Sequence, residues 1–350
     1  MQPIEVGVLG GTGMVGQHFV KFLQNHPWFK LTWIGASDRS AGKKYREATS
    51  WRLSGDMPSN IADIEVSESK PNGGSAPKLV FSAMDAGVAT EIERAFAEAG
   101  HVIVSNSRNH RMEADVPLLV PEVNHDHLRI VARQQRERGW KGQIVTNPNC
   151  STITMVLALG AIKKYGIEKI MVSTLQAVSG AGYPGVASMD IIGNVVPFIG
   201  SEEEKMQTET QKILGDLVGE EFRPLRATVS AQCNRVPVVD GHMCCVSVKL
   251  REQPGVDAIR RDFESFASLP QQKNLPSAPA RPVIYMEQAD RPQPRRDVER
   301  ENGMAVFVGR LRECPVFDYK FVVCGHNTVR GAAGAAVLNA ELMYSEGLFD

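Results

Sequence analysis

The sequence predicts an α/β chain: a parallel sheet covered by helices on both faces, followed by an α+β domain built on a second sheet. Three observations predict it. The first hundred residues alternate between strand-like and helical periods. A glycine cluster stands directly after the first apolar strand. Beyond about residue 150, strands follow one another with few helices between them. At about 150 residues per domain, 350 residues suit two domains.

The elements follow in order. Residues 4–9 form a short apolar strand. Residues 14–26 place Val15, Phe19, Val20, Phe22 and Leu23 at helical spacing, and Pro27 ends the helix. Residues 31–35, 79–81 and 101–104 read as further strands, with a helix over 92–99 before the last. Apolar strands joined by helices run parallel in one sheet. Residues 40–77 are less regular, and 71–75 (Pro-Asn-Gly-Gly-Ser) read as an exposed loop. In the second half a helix over 151–165 precedes strands at 169–178, 241–250, 305–312 and 317–323, with another helix over 202–214. Residues 270–294, rich in proline, read as an irregular surface excursion. Residues 332–344 read as an amphipathic helix that packs back on the first domain. The expected division is 1–149 with 330–350, and 150–329.

Hydrophobic residues at 43% and charged residues at 23% are ordinary for a globular chain with a full core. Thirty-nine Lys and Arg against 40 Asp and Glu leave a net charge of −1, which argues against nucleic-acid binding driven by counterion release. The most apolar stretch, 153–162, falls short of the ~18 residues a membrane span needs. The opening MQPIEVGVLGG lacks the basic n-region of a secretory signal. The six scattered cysteines then read as reduced thiols in a cytoplasmic protein.

Gly11-Thr12-Gly13-Met14-Val15-Gly16 is a GxGxxG motif between a strand and a helix. The first glycine permits a tight turn, the second lets backbone approach a pyrophosphate, and the third brings helix and strand together. The helix N-terminus offers N–H donors to the phosphates. In this setting the motif points to a dinucleotide and a Rossmann-type domain. At the end of the second strand, Ser37, Arg39 and Ser40 suit the extra phosphate of NADP, and Lys43 adds charge. Asp38 would oppose that phosphate if it pointed inward.

Asn147-Pro148-Asn149-Cys150-Ser151-Thr152 opens an uncharged helical run. Cys150 at a helix N-terminus is placed where the dipole lowers a thiol pKa and where free N–H groups stabilise an oxyanion. A small buried residue capping a core helix fits the same spacing. A nucleophile needs a base, and His242 in VVDGH is the best candidate, although a lone histidine also fits a structural role. Arg235, seven residues earlier, offers an anchor for carboxylate or phosphate. A zinc site from Cys233, His242, Cys244 and Cys245 is disfavoured, because neighbours on a strand point to opposite faces and no CxxC pair exists. No metal is expected. Glu202-Glu203-Glu204-Lys205 reads first as a solvated acidic helix start.

Together the segments GVLGGTGMVGQ, ASDRSAGKKY, DVPLLVPEVN, NPNCSTI, LQAVSGAGYPGV, NRVPVVDGH and HNTVRGAAGAAVLNAEL span nearly the whole chain. They resemble the aspartate-semialdehyde dehydrogenase family, particularly its fungal and archaeal-type branch. The resemblance implies an NADP-binding domain joined to a catalytic and dimerisation domain, in a homodimer or homotetramer acting on a small molecule without nucleic acid or membrane. It implies that Cys150 forms an acyl-thioester, that His242 is the acid/base, and that Gln176 positions thiol and substrate. Arg235 would grip the substrate α-carboxylate, Glu202 and Lys205 the amino group and phosphate, and Arg111 the phosphate, with Arg108 close enough to compete for that role. Asn149 would line the same anion site. Thr12 to Val15, Ser37, Arg39, Ser40, Ser82, Asn327 and Thr328 fall at cofactor-contact positions.

The implied reaction is NADPH-dependent reduction of L-aspartyl 4-phosphate to L-aspartate 4-semialdehyde, on the route to threonine, methionine, isoleucine and, in some organisms, lysine. Malonyl-CoA reductases of archaeal type resemble the family closely and change only the acyl donor. N-acetylglutamyl-phosphate reductase and glyceraldehyde-phosphate dehydrogenase share the logic but differ around the cysteine. A non-catalytic NADP-binding sensor with a redox-sensitive Cys150 would have no use for Cys150, Gln176, Arg235 and His242 together.

Overall fold

The computed structural model describes residues 2–71 and 76–349; residues 72–75, most of the expected exposed loop at 71–75, lie outside that range. Six strands, β1 (Ile4–Leu9), β2 (Phe29–Ala36), β3 (Val66–Glu68), β4 (Leu79–Ser82), β5 (Val102–Ser105) and β6 (Gln143–Thr146), form the first sheet. Their order is β3-β2-β1-β4-β5-β6 and every pairing is parallel. That is the doubly wound order, whose chain reversal between β1 and β4 opens a crevice at the strands' C-terminal ends. Helices α1 (Met14–Leu23), α2 (Ala86–Glu98) and α3 (Val131–Arg138) lie in the connections. Val6, Val8, Phe19, Val20, Phe81 and Val104 are buried in its core.

The second sheet is mixed. Strands β7 (Ile167–Gln176), β10 (Thr228–Arg235), β11 (His242–Leu250), β12 (Val283–Met286), β13 (Val306–Glu313) and β14 (Tyr319–Gly325) take the order β10-β7-β11-β14-β13-β12. A small hairpin, β8 (Asp216–Val218) with β9 (Glu221–Arg223), stands apart. One face of the sheet carries α4 (Cys150–Ile162), α5 (Glu202–Ile213) and α6 (Val256–Ser265). The alternation on β7 shows this plainly: Ile170, Val172, Thr174 and Gln176 are buried, while Lys169, Met171, Ser173 and Leu175 are exposed. On β11, Cys244 is buried and Cys245 exposed, as the strand period requires.

Two expectations are corrected. Residues 270–294 are not wholly irregular: β12 lies inside them and pairs parallel with β13 at the sheet edge. The prolines stay outside the strand, where no ladder N–H is lost. The C-terminal helix, α7 (Gly334–Ser345), does join the first core through Ala336, Val337, Leu338 and Leu342. It is not amphipathic, however, since every residue from Gly334 to Met343 is buried. Small side chains on several faces let it be enclosed. Among the described residues no helix is long and apolar enough to cross a membrane.

Candidate active site

The turn after β1 is shaped by its glycines. Gly10 has φ +71°, and a Cβ on Gly16 would stand 2.3 Å from the Gly10 carbonyl oxygen and 2.6 Å from Gly11 Cα. The motif's third glycine therefore lets α1 close on the loop. The loop's carbonyls are held from outside: Tyr45 Oη donates to Gly11 O at 2.9 Å, and Thr49 Oγ1 to Thr12 O at 2.9 Å. The first-turn amides of α1 have no earlier carbonyl in the helix to accept them, which leaves them for a ligand.

A cavity of about 770 Å³ opens there. Gly10, Thr12, Gly13, Met14 and Val15 line it at one side, and Ala83 to Asp85 after β4 at another. Ser37 and Arg39 line it after β2, and Ala181 to Tyr183 after β7. Its size, its position at the chain reversal and its glycine floor fit a dinucleotide. Ser37 and Arg39 line it where Asp38, Ser40 and Lys43 do not, so no carboxylate opposes a phosphate at that end. Gly11 and Gly16 shape the turn from behind. Ser82 is fully buried and its hydroxyl donates to Glu93 at 2.6 Å, so its side chain is engaged away from the cavity. Asn327 accepts from the Gly241 N–H at 2.8 Å and donates to Ser179 Oγ at 2.8 Å. Thr328 is buried beside His326.

Cys150 is the first residue of α4, and Asn149 is the cap. Asn149 Oδ1 accepts from the N–H groups of Ser151 at 2.9 Å and Thr152 at 3.1 Å. Behind the cysteine, a Cβ on Gly331 would meet Cys150 Cβ at 2.7 Å, so only glycine fits. The thiol differs from the expectation drawn from its helix terminus. Burial pushes it up to about 12 and Glu202 adds to this, while Arg111 and Arg235 oppose it. Cys150 is half-buried, and the loss of hydration around its thiol opposes the dipole and favours the neutral form, with Arg111 and Arg235 pulling the other way.

Three adjacent strands deliver Arg235, which acts on the thiol, and two polar groups beside that arginine. Arg235 on β10 stands in register with Gln176 on β7, and β11, which begins at His242, runs antiparallel beside β7. All three side chains end the inward rows of their strands and are buried. Arg235 Nη1 donates to Ala177 O at 2.8 Å. Gln176 Nε2 donates to Thr174 Oγ1 at 3.2 Å. His242 Nδ1 accepts from the Ala177 N–H at 3.1 Å, and its Nε2 is buried without a partner. Burial, then Arg235 and His326, lower this imidazole to about 3, so the ring is neutral. A neutral ring accepting at Nδ1 carries its proton on Nε2. In the free protein His242 is therefore a proton donor before it is a base.

The acidic helix start is not a solvated turn. Glu202 is buried, accepts from Asn149 Nδ2 at 2.7 Å and pairs with Lys205 at 3.1 Å. Arg111 is buried near the thiol, whereas Arg108 is exposed and lines a separate shallow cavity with Gly87 and Thr90. The structure thus brings together Cys150, Glu202, Arg111 and Arg235, with Gln176 and His242 on the strand ends beside Arg235. Sequence reasoning passed over Gly180, whose Cβ would stand 2.9 Å from Arg235 Nη1 and from His242 Cε1 and Nε2. It also passed over Glu209 and Lys212. Their signal was the repetition of Glu-x-x-Lys seven residues on. Among the described residues no cluster could hold a metal.

A groove shaped for a dinucleotide at the chain reversal of a doubly wound sheet, in the same chain as a cysteine at a helix N-terminus with guanidinium groups near it, defines a dinucleotide-dependent oxidoreductase. The family matches agree with the cofactor-binding part of this. Residues 5–131 match the NAD binding domain of semialdehyde dehydrogenases, and residues 159–330 match their dimerisation domain. Aspartate-semialdehyde dehydrogenase of Methanothermobacter thermautotrophicus is 51% identical over 97% of this chain and 99% of its own. That of Schizosaccharomyces pombe is 48% identical over 98% and 99%. The crystal structure of the Candida albicans enzyme with NADP superposes with a TM-score of 0.91 at 42% identity, covering 99% of this chain and 100% of that one. The chain belongs to the aspartate-semialdehyde dehydrogenase family.

Proposed function

We propose that the protein catalyses NADPH-dependent reductive dephosphorylation of L-aspartyl 4-phosphate to L-aspartate 4-semialdehyde through an acyl-thioester on Cys150, in amino-acid biosynthesis. The observation that carries this is the cysteine at the head of α4 facing Arg111, Arg235 and Glu202, with an imidazole donor on the adjoining strand. Two guanidinium groups suit a substrate bearing a carboxylate at one end and a phosphate at the other. Arg235 grips the α-carboxylate, Glu202 the ammonium group, and Arg111 with Lys205 the phosphate. A Vibrio cholerae aspartate-semialdehyde dehydrogenase, 28% identical with a TM-score of 0.78, was solved as a complex with ASA.

Each residue then has a task. Cys150 sulfur forms a bond to the acyl carbon as the carbon–oxygen bond to phosphate breaks. The thiol's proton leaves with the phosphate as hydrogen phosphate, so no separate base is required at that step. The Cys150 N–H, the first-turn amide of α4 that the Asn149 cap leaves open, and Nε2–H of His242 stabilise the oxygen that carries charge on the attacked carbon. Gln176 orients thiol and substrate. NADPH, when bound, supplies the hydride that reduces the thioester. His242 then steadies the oxygen of the reduced carbon until that carbon–sulfur bond breaks and the aldehyde departs, and the sulfur takes up one proton from solvent to restore the thiol.

We further propose a division into 1–149 with 330–350 for cofactor binding and 150–329 for catalysis and dimerisation. The packing of α7 in the first core and α4 in the second supports it. The solvent-facing side of the second sheet, with Met171 and Leu175 exposed, and the segment bearing Met189, Ile192 and Phe198 supply an apolar surface for a homodimer. Unpaired thiols at all six cysteines suit a cytoplasmic setting. The test of the reaction is reduction of NADP by L-aspartate 4-semialdehyde with and without inorganic phosphate. Turnover that needs phosphate supports the assignment. No turnover by folded, NADPH-binding protein rejects it.

A further inference from the structure

Helix α5 carries its Glu-x-x-Lys pair twice, as Glu202/Lys205 and Glu209/Lys212. Seven residues are close to two helical turns, so both pairs share one face. The first pair belongs to the substrate site. The second is deeper, with Glu209 and Lys212 both buried.

Glu209 spans two parts of the site with one carboxylate. Oε1 accepts from Arg111 Nη1 at 2.9 Å, and Oε2 accepts from the Asn149 N–H at 2.6 Å, one residue before Cys150. Lys212, one turn on, donates to the carbonyl oxygens of Arg111, Glu113 and Val116, each at 2.8 Å. The loop bearing Arg111 is thus held through its guanidinium and its main chain by a single stretch of helix. Of the guanidinium nitrogens, Nη1 is engaged by Glu209 and Nη2 by Asn106 O at 2.8 Å, while Nε is buried without a partner. A buried N–H left unpaired is a donor kept for an incoming acceptor.

We propose that Glu209, assisted by Lys212, is a positioning residue: it fixes Arg111 relative to the Cys150 loop so that the anion-binding donor of Arg111 meets the phosphate beside the thiol. This rests on the reading of Arg111 as the phosphate anchor. Both groups pointing at Glu209 are donors, so a carboxylate is required. An amide has one acceptor oxygen and an NH₂ that is itself a donor. Glu209→Gln therefore sets one of the two contacts donor against donor while keeping the side chain's size.

The experiment compares wild type, Glu209→Gln and Glu209→Asp with L-aspartate 4-semialdehyde, NADP and inorganic phosphate, and also follows how phosphate protects Cys150 from iodoacetamide. For Glu209→Gln, KM for phosphate and the protection midpoint are expected to rise about tenfold. KM for NADP and kcat at saturating phosphate should change less than threefold, with partial recovery in Glu209→Asp. Unchanged phosphate parameters overturn the proposal, as does a loss spread equally over NADP, aldehyde and phosphate. If Glu209→Gln does not fold, Lys212→Gln must raise KM for phosphate selectively, and an unchanged value overturns the proposal. Protection is read without turnover, so a wild type that is protected by phosphate but inert toward the aldehyde would count against the assigned reaction and leave the role of Glu209 measurable.

Discussion

Gly180→Ala isolates the catalytic geometry from the fold. Gly180 lies outside the left-handed region, so alanine is not strained there by its backbone, and the atoms nearest the added carbon are Arg235 Nη1 and His242 Cε1 and Nε2, each at 2.9 Å. Relaxed contacts of this kind lie at about 3.5–4.0 Å, so the new methyl must displace one or both groups by roughly 0.5–1 Å. Arg235 is buried and bonded to Ala177 O, and His242 is fully buried and tied through Nδ1 to the Ala177 amide. A misplacement of about 1 Å at reacting groups costs up to roughly 100-fold, or about 2.7 kcal/mol of barrier. Steady-state turnover in the phosphate-dependent assay should fall about 10- to 100-fold, while the thermal midpoint stays within about 3 °C. Wild-type kcat in a folded Gly180→Ala protein would refute the placement of His242 and Arg235.

Three further outcomes follow from the same geometry. With its pKa pushed up to about 12, Cys150 should be alkylated by iodoacetamide at a rate that rises about tenfold per pH unit from pH 7 to 10, read by peptide mass mapping, with Glu202→Gln faster at every pH. A plateau below pH 8 would contradict a neutral resting thiol. Gly16→Ala places a carbon 2.3 Å from the Gly10 oxygen, and overpacking of about 1–3 kcal/mol should weaken NADPH binding about 10- to 100-fold in a fluorescence titration. Arg39→Ala should lose about tenfold in affinity for NADPH and almost none for NADH, since Arg39 lines the end of the cavity where the additional phosphate would lie. Equal losses for both would remove Arg39 from that role.

Much of this was legible in the residues. The glycine motif, the order of strands and helices in the first hundred residues, and the NPNC helix start each carry a local signal strong enough to survive folding. Gln176, Arg235 and His242 were named one by one, but their alignment across β10, β7 and β11 is a matter of register between distant strands. Local sequence does not encode it. β10 went unread because its outer face is polar and its length brings little apolar periodicity. The sequence of α7 reads as amphipathic, yet small residues let the helix be enclosed on every side without an apolar stripe. The thiol departs from its sequence signal for a similar reason. A helix N-terminus is visible in sequence, whereas the burial that opposes its dipole belongs to tertiary packing.

A covalent thioester on Cys150 is tested most directly by withholding the phosphate that would release it. Protein mixed with L-aspartate 4-semialdehyde and NADP alone should form about one NADPH per subunit in a burst and then stop. Mass analysis should find the aspartyl group on the peptide bearing Cys150, and phosphate added afterwards should discharge it and restore turnover. A Cys150→Ala protein that still gave the burst, or a burst with the acyl group on another residue, would contradict the account.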